Sequence, residues 1–549
     1  MDYTLLAERL FAHITDTPQS LFERYPARRL QEGAKVTRIA PSPTGFMHLG
    51  NLLGAVADER LAHQSGGVFY LRIEDTDQKR EVPGAVQKIL ETFALYGLNF
   101  DEGSFLEGDI GDYGPYRQRP RAAIYQVFAK ALVQKGLAYP CFCTEQQLEA
   151  QHEAQQAAKE NFGYYGKWAV HRDMPQDQVM ALLDADMPYV LRFKSLGDAS
   201  RRFRHTDLVK GDMELPENDM DIVLLKSDGI PTYHFAHVID DTLMGTTHVV
   251  RGDEWLATLP VHLQLFRALE LKPPKYLHIA PLMKQEGESK RKLSKRKDPE
   301  LALDFYAQEG YPAPAVIEYL LTLLNSNFEE WRLQNPQADY RDFPFSPKKM
   351  SQSGALFDIL KLRDISKTVL ARMDTDEVFT LLCGYAGQFD QPFFDLLTRD
   401  ETYTKAILSI GRGGQKPRKD LAALREAKPY MDFFFDELFI PGSDYPQTLD
   451  KTDIQAILTG YLPLLDKAAD QTVWFDTLKE LARTLGFCDN TKEYKNNPDG
   501  YKGHIGDVSM VLRVALCSRQ NAPDLYAIMQ ILPEETIITR LQKAAATLG

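Results

Sequence analysis

Two stretches of this chain carry residues suited to phosphate chemistry: Ala40-Pro41-Ser42-Pro43-Thr44-Gly45-Phe46-Met47-His48-Leu49-Gly50-Asn51 and, much further on, Lys292-Leu293-Ser294-Lys295-Arg296. An imidazole at position 48 can donate a ring N–H to a phosphate oxygen as negative charge builds there in a transition state, and Gly50 lets a nucleotide approach the backbone. Lys292 and Lys295, with Ser294 between them, are mobile point charges for a triphosphate. Each stretch alone has a plainer reading, an ordinary turn histidine in the first and a solvated charge run in the second. Together they read as two halves of one ATP site, with His48, Gly50, Asn51, Lys292 and Lys295 as its contacts and Ser294 counted with the lysines.

Such a site needs a strand, a turn and a helix to aim it. Residues 36–40 read as a strand, and Leu52, Leu53, Val56, Ala57 and Leu61 follow the Pro/Gly-rich turn at helical spacing, so His48 and Gly50 fall where a helix starts. The free N–H groups and positive dipole end of such a helix attract phosphate. Residues 68–73, between a Gly-Gly pair and Asp75, read as the next parallel strand, and a helix opened by Pro83 stops at Gly97. Strand, helix, strand is the crossover unit of a doubly wound, Rossmann-like α/β sheet. Neither a G-x-G-x-x-G nor a P-loop sequence occurs, so phosphate handling falls to the two stretches above.

The texture changes over residues 117–220. Thr144 with Gln147 forms a capping-box pattern heading an Ala/Gln/Glu-rich helix, and 189–193 and 208–215 read as short strands. The parallel sheet is expected to resume at 221–225. Helical patterns dominate from about residue 259, and beyond Ser346 only helical periodicities and Gly/Pro breaks are seen.

At this point the chain resembles a class I aminoacyl-tRNA synthetase, and specifically the bacterial-type glutamyl-tRNA synthetases. The two stretches correspond to the HIGH and KMSKS signatures of that class. The likeness continues through Arg72-Ile73-Glu74-Asp75-Thr76-Asp77, Gly114-Pro115-Tyr116-Arg117-Gln118-Arg119, residues 221–241 and Arg251-Gly252-Asp253-Glu254-Trp255. The resemblance implies a Rossmann-like catalytic domain (35–116 and 221–258) interrupted by an α+β insertion that holds the tRNA acceptor end (117–220). It further implies a stem-contact helical region with the lysine loop (259–345) and an all-helical anticodon-binding region (346–549), after a helical N-terminal extension (1–34).

A glutamate substrate carries two carboxylates and an ammonium, so its pocket requires two cations and an anion. Arg38, near the end of the first strand, and Arg251 are the two forks, and Glu74, just past the second strand, is the anion for the α-ammonium. Ser42 and Tyr233 add hydroxyls, and the resemblance implies substrate contacts for all five. His237, one helical turn after Tyr233, is read as a satisfied core histidine, at a position that some relatives fill with asparagine. The implied reaction joins glutamate to ATP as an adenylate and then to the 3′ end of tRNA(Glu). It runs through positioning and electrostatics rather than a covalent enzyme intermediate, with Mg2+ on the ATP phosphates.

Composition bounds these expectations. At 549 residues the chain implies several domains, and 44% hydrophobic with 26% charged residues is ordinary for a globular protein. No basic-then-apolar leader and no run of 18 apolar residues is present, so no membrane span is expected and a cytoplasmic location is; a monomer is expected as well. The net charge of -13 counts against a polyanion partner unless positive charge is locally clustered, as it is around Lys284–Lys297 and at Arg412, Lys416, Arg418 and Lys419. Five cysteines, an odd number in a long chain, argue against a disulfide framework. Cys141 and Cys143 are spaced for a metal, but a structural zinc takes four ligands and the nearby sequence adds only His171, so no structural zinc is expected.

Three alternatives remain at the sequence level. The enzyme could also charge tRNA(Gln), or be a glutaminyl enzyme, although relatives of that kind resemble Pro-Glu-Pro-Asn-Gly where this chain has Pro41-Ser42-Pro43-Thr44-Gly45. A tRNA-independent nucleotidylyltransferase would share the first stretch but not the insertion or the helical C-terminal half.

Overall fold

The computed structural model describes residues 1–548 except Phe46, Lys295 and Gln415, together with the backbone but not the side chain of Gln78. It divides into two compact units, Met1–Phe305 with Ile317–Asp358, and Tyr306–Val316 with Ile359–Gly549.

Helices α1 (Tyr3–Leu10) and α2 (Pro18–Arg24) begin the first unit, each opened by a side-chain cap: Asp2 accepts from the Leu5 N–H, and Thr17 forms a capping box with Ser20. The parallel sheet follows. Strand β1 (Val36–Ile39) leads into α3 (Leu49–His63), which returns the chain to β2 (Val68–Leu71), paired parallel to β1 with Arg38 opposite Tyr70. Helix α4 (Ala85–Leu95) leads to β3 (Glu102–Phe105), parallel to β2, and β4 (Gly108–Ile110) turns back antiparallel on β3. Helix α3 is sandwiched within the unit: Leu49, Leu52, Ala55, Ala57 and Leu61 are fully buried, and the charged residues Asp58, Glu59 and Arg60 of its later turns are buried too.

Helix α5 (Ala122–Gln134) enters the inserted region. There β5 (Ala138–Cys141), α6 (Glu145–Ala158, headed by the Thr144–Gln147 capping box), α7 (Gln176–Asp184) and β6 (Val190–Phe193) are followed by a hairpin of β7 (Arg202–Asp207) and β8 (Gly211–Pro216). The hairpin replaces the single strand read at 208–215. Its turn lies at residues 208–210, and the alternating half-buried and exposed residues of each arm give the sequence only a weak signal.

Strand β9 (Val223–Leu225) corrects a second expectation. It pairs antiparallel with β6 and closes the inserted sheet β5-β6-β9 rather than resuming the parallel one. The parallel set resumes after α8 (Tyr233–Leu243), at β10 (His248–Gly252). The Thr247 N–H donates to the Val36 carbonyl and the Val36 N–H to Thr247 Oγ1, 3.0 and 2.8 Å, which seats β10 beside β1. After α9 (Leu259–Ala268), β11 (Lys275–Ile279) pairs parallel to β10.

A hairpin of β12 (Leu282–Glu286) and β13 (Ser289–Lys292), extended by the two-residue β14 (Ala355–Leu356), delivers the lysine-rich loop. The region read as helical from residue 259 is therefore mixed. The second unit is helical among its described residues, around a core that includes Leu382, Phe393, Met431, Ile457, Leu512 and Leu541.

Candidate active site

Ligands of an open parallel sheet collect at the carboxyl ends of its strands. Here the ends of β1, β10 and β11, the start of α3 and the β12–β13 hairpin enclose a cleft of about 320 Å³ lined by Arg38, His48, Gly50, Asn51, Glu74, Tyr233, Arg251, Trp255 and Lys292. Eight residues singled out from the sequence thus converge on one cavity. Ser42 stands at its approach, its Oγ donating to the Glu74 carbonyl at 3.0 Å. Lys295 lies outside the described residues.

The nucleotide half begins with a helix cap. His48 is the N-cap of α3: its Nδ1 accepts the Asn51 N–H at 3.3 Å while Asn51 Oδ1 accepts the His48 N–H at 3.0 Å. Because Nδ1 is an acceptor, the ring proton sits on Nε2. Gly50 has a second reason to be glycine, since a Cβ there would lie 3.1 Å from His48 Cε1 and Nδ1.

Opposite, Lys292 reaches Glu254 at 3.5 Å, an exposed pair of the kind that contributes little to stability and leaves the ammonium available. Asp298 anchors the loop that follows. It takes a bidentate fork from Arg291 at 2.6 and 2.8 Å and the Ser294 N–H at 2.9 Å, with Lys284 at 3.4 Å. The Arg291 hydrogen bonds hold the Asp298 carboxyl below the usual carboxylate range. Ser294 therefore enters through its backbone.

The amino-acid half is a buried ionic lattice. Arg38 Nε lies 3.3 Å from Asp241 Oδ1, and Arg72 Nη1 lies 2.7 Å from the same oxygen. Arg72 also reaches Glu74 at 3.3 Å and Asp240 at 3.8 Å, while Arg121 and Tyr125 bind Asp240 at 2.7 and 2.8 Å. Burial raises the Glu74 carboxyl to about 7, against the pull of Arg72 and Arg38. Asp241 behaves oppositely: burial would raise it, but Arg38 and Arg72 hold it well below its ordinary value. His237 lies in the core, where the sequence reading put it: it packs against Asp241 at 3.0 Å, its Nε2 lies 3.1 Å from the Tyr276 hydroxyl, and burial lowers it to about 4.

Arg251 differs from Arg38. It is only 7% exposed, yet among the described residues no carboxylate lies within ion-pair distance of it. The Tyr233 ring packs against Trp255 beside it, centroids 4.5 Å apart and planes tilted by 36°. A buried guanidinium without a countercharge is costly unless an anion arrives.

Arg72, Asp240, Asp241, Arg291 and Asp298 were not singled out from the sequence. One local signal was available, because Tyr233, His237 and Asp241 are spaced i, i+4, i+8 and share one face of α8. Elsewhere, the 412–419 stretch is partly structural: Arg412 donates to the carbonyls of Leu408, Leu370 and Met373, and Arg418 pairs with Asp420 at 2.7 Å. Gln415 lies outside the described residues.

Cys141, Cys143 and His171 come together more closely than their spacing indicated, with ligand-type atoms within 4.8 Å of one another. Protein groups already engage them: His171 Nδ1 accepts the Phe142 N–H at 3.2 Å, and the Tyr164 hydroxyl lies 3.5 Å from Cys143 Sγ.

The parallel sheet with its cleft at the strand ends, entered by a histidine-capped helix and a lysine hairpin, defines a class I tRNA synthetase catalytic domain. Residues 35–360 match the family model described as tRNA synthetases class I (E and Q), catalytic domain, and residues 415–545 match one described as an anticodon binding domain. The chain belongs to the glutamate–tRNA ligases within that class. It is 52% identical over 545 residues to the glutamate–tRNA ligase of Acetivibrio thermocellus, covering 99% of this chain and all of the relative. To that of Clostridium perfringens strain SM101 it is 49% identical over 551 residues, with both chains fully covered. A crystal structure of a glutamate tRNA ligase from Elizabethkingia meningosepticum, described as in complex with its amino acid, superposes with a TM-score of 0.74 at 27% identity, covering 94% of this chain and all of that one.

Proposed function

We propose that this chain ligates L-glutamate to the 3′ end of tRNA(Glu), in the cytoplasm and as a monomer, through a glutamyl-adenylate made from ATP carrying Mg2+. The observation that carries the choice of substrate is the charge pattern of the cleft: among the described residues Arg251 has no acidic partner and Arg38 is held by Nε alone, while Glu74 stands between two arginines. That pattern suits a ligand with two carboxylates and an ammonium. Among the described residues no helix is long and apolar enough to cross a membrane.

In this reading Arg38 and Arg251 grip the carboxylates and Glu74 takes the α-ammonium. The glutamate carboxylate oxygen attacks the α-phosphorus of ATP in line, and pyrophosphate leaves. His48 Nε2–H, the first-turn N–H groups of α3, Lys292 and Lys295 stabilise the charge that accumulates on the phosphate oxygens. The terminal ribose hydroxyl of tRNA then takes the acyl group and releases AMP. Incubation of the purified protein with ATP, labelled glutamate and either tRNA(Glu) or tRNA(Gln) tests the reading. Acylation of tRNA(Glu) supports it, and acylation of both marks a non-discriminating enzyme. ATP turnover without acylation of any tRNA overturns it in favour of a nucleotidylyltransferase.

A further inference from the structure

Arg251 is held by imidazoles. Its Nε donates to His278 Nε2 at 2.9 Å, its Nη1 to His262 Nδ1 at 3.1 Å, and its Nη2 reaches the Trp255 carbonyl at 3.5 Å. A guanidinium has five N–H groups and no acceptor, so both imidazole nitrogens facing it must carry lone pairs. That requirement fixes the rest of the chain. His278 must bear its proton on Nδ1, where it donates to Asp207 Oδ2 at 2.7 Å, and His262 must bear its proton on Nε2, which donates to His234 Nδ1 at 2.9 Å. Asp207 is itself fixed by the N–H groups of Val209 and Lys210 at 2.9 and 2.8 Å.

One tautomeric arrangement therefore satisfies every bond from β7 through β11 and β10 to α9 and α8. Burial favours it, pushing His262 well below its ordinary value and His278 below as well, so both rings are neutral at pH 7. Neutral acceptors orient the guanidinium without cancelling its charge, as a carboxylate would. They leave one N–H on Nη1 and one on Nη2, the number a carboxylate's two oxygens can take.

We propose that His262 and His278 are positioning residues for glutamate capture: by accepting from Arg251 they aim its two remaining N–H groups at a substrate carboxylate. The proposal rests on Arg251 being a glutamate ligand, and the experiment separates the two ideas. A glutamine oxygen occupies the place of a histidine Nε2 and an asparagine oxygen that of Nδ1. At position 278 the Arg251 contact is therefore kept by His278→Gln and lost in His278→Asn, which still donates to Asp207. At position 262 it is kept by His262→Asn and lost in His262→Gln.

Glutamate and ATP kinetics of tRNA charging, with glutamate binding by calorimetry, are measured for these four variants and for Arg251→Gln. The expected result is a rise in KM for glutamate of roughly 10- to 100-fold in His278→Asn and His262→Gln, the size of one lost charge-assisted hydrogen bond. KM for ATP stays within about threefold, and His278→Gln and His262→Asn remain close to the parent. Equal behaviour of the two amides at both positions, or losses shared between glutamate and ATP, overturns the positioning role. Unchanged glutamate affinity in Arg251→Gln instead removes Arg251 from the pocket and overturns the underlying reading. Each position supplies its own pair, so failure of one variant to fold leaves the other pair decisive.

Discussion

Asp241 holds Arg38 by the Nε, 3.3 Å from Oδ1, and among the described residues no hydrogen bond ties the two Nη atoms of this cleft-lining side chain. The same carboxylate oxygen binds Arg72, which in turn contacts Glu74, so one buried acid connects the side chains proposed for opposite ends of the substrate. Substituting Asp241→Asn leaves two buried guanidinium groups short of a countercharge. We expect a loss of about 3–5 kcal/mol in unfolding free energy and a raised KM for glutamate. Urea unfolding with stability unchanged to within about 1 kcal/mol would show that the lattice does not depend on this acid.

Glu74 gives the pocket a pH dependence of definite sign. Its folded-state carboxyl titrates near 7, raised from 4.5 by burial. An ammonium binds the carboxylate form, so kcat/KM for glutamate should climb as pH rises toward 7 and level off above it, with a proton released on binding below 7. A flat profile between pH 6 and 8 would count against Glu74 as the ammonium partner.

The same shift acts on stability in the other direction. The unfolded chain loses this proton near 4.5 while the folded protein keeps it to about 7, so folding is progressively weakened across that window as pH rises. Glu74→Gln should remove the slope and come out more stable than the parent above pH 7, by up to roughly 3 kcal/mol. Thermal melts of the two proteins at pH 5 and pH 8 provide the check.

Gly50→Ala would place a methyl 3.1 Å from the His48 ring, whose Nδ1 is already committed to the cap. The ring must shift, and Nε2 loses its aim. Single-turnover adenylate formation should fall by roughly 10- to 100-fold, somewhat less than complete removal of a transition-state donor, with little change in melting temperature. An undiminished rate would separate His48 from the chemistry.

Asp298→Asn should loosen the lysine hairpin, because the Arg291 fork and the Ser294 N–H both end on that carboxylate. The expected signature is a raised KM for ATP and faster tryptic cleavage between Lys290 and Lys297, with KM for glutamate unaffected. Identical proteolysis of the two proteins would rule this anchoring out.

What the sequence made legible follows from how local each determinant is. The capped start of α3, the Thr144 box and the Gly97 stop are decided within a few residues, and they are found where the pattern places them. An apolar run such as 223–225 fits a parallel core strand or an antiparallel partner equally well, and only the distant β6 decides between them. The hairpin at 202–216 was missed for a related reason, since its exposed faces carry little hydrophobic contrast.

In the site, residues that would touch a ligand were legible by type and motif. Those that hold them were not, because Asp207, His278, Arg251 and His262 meet only through folding. Arg72 shows its part only by burial, and Asp241 only by burial and the helical spacing it shares with Tyr233 and His237. The family likeness narrowed the sequence reading to glutamate, and the charge of Arg251, which no carboxylate among the described residues pairs, supplies an independent physical reason for that choice.

Charging of tRNA(Glu) by the purified protein, with glutamate, glutamine and aspartate offered in parallel, tests the central claim most directly. The account predicts ATP-dependent acylation by glutamate that Arg251→Gln abolishes or shifts to far higher glutamate concentration. Efficient charging with glutamine, or glutamate charging indifferent to Arg251→Gln, would contradict it.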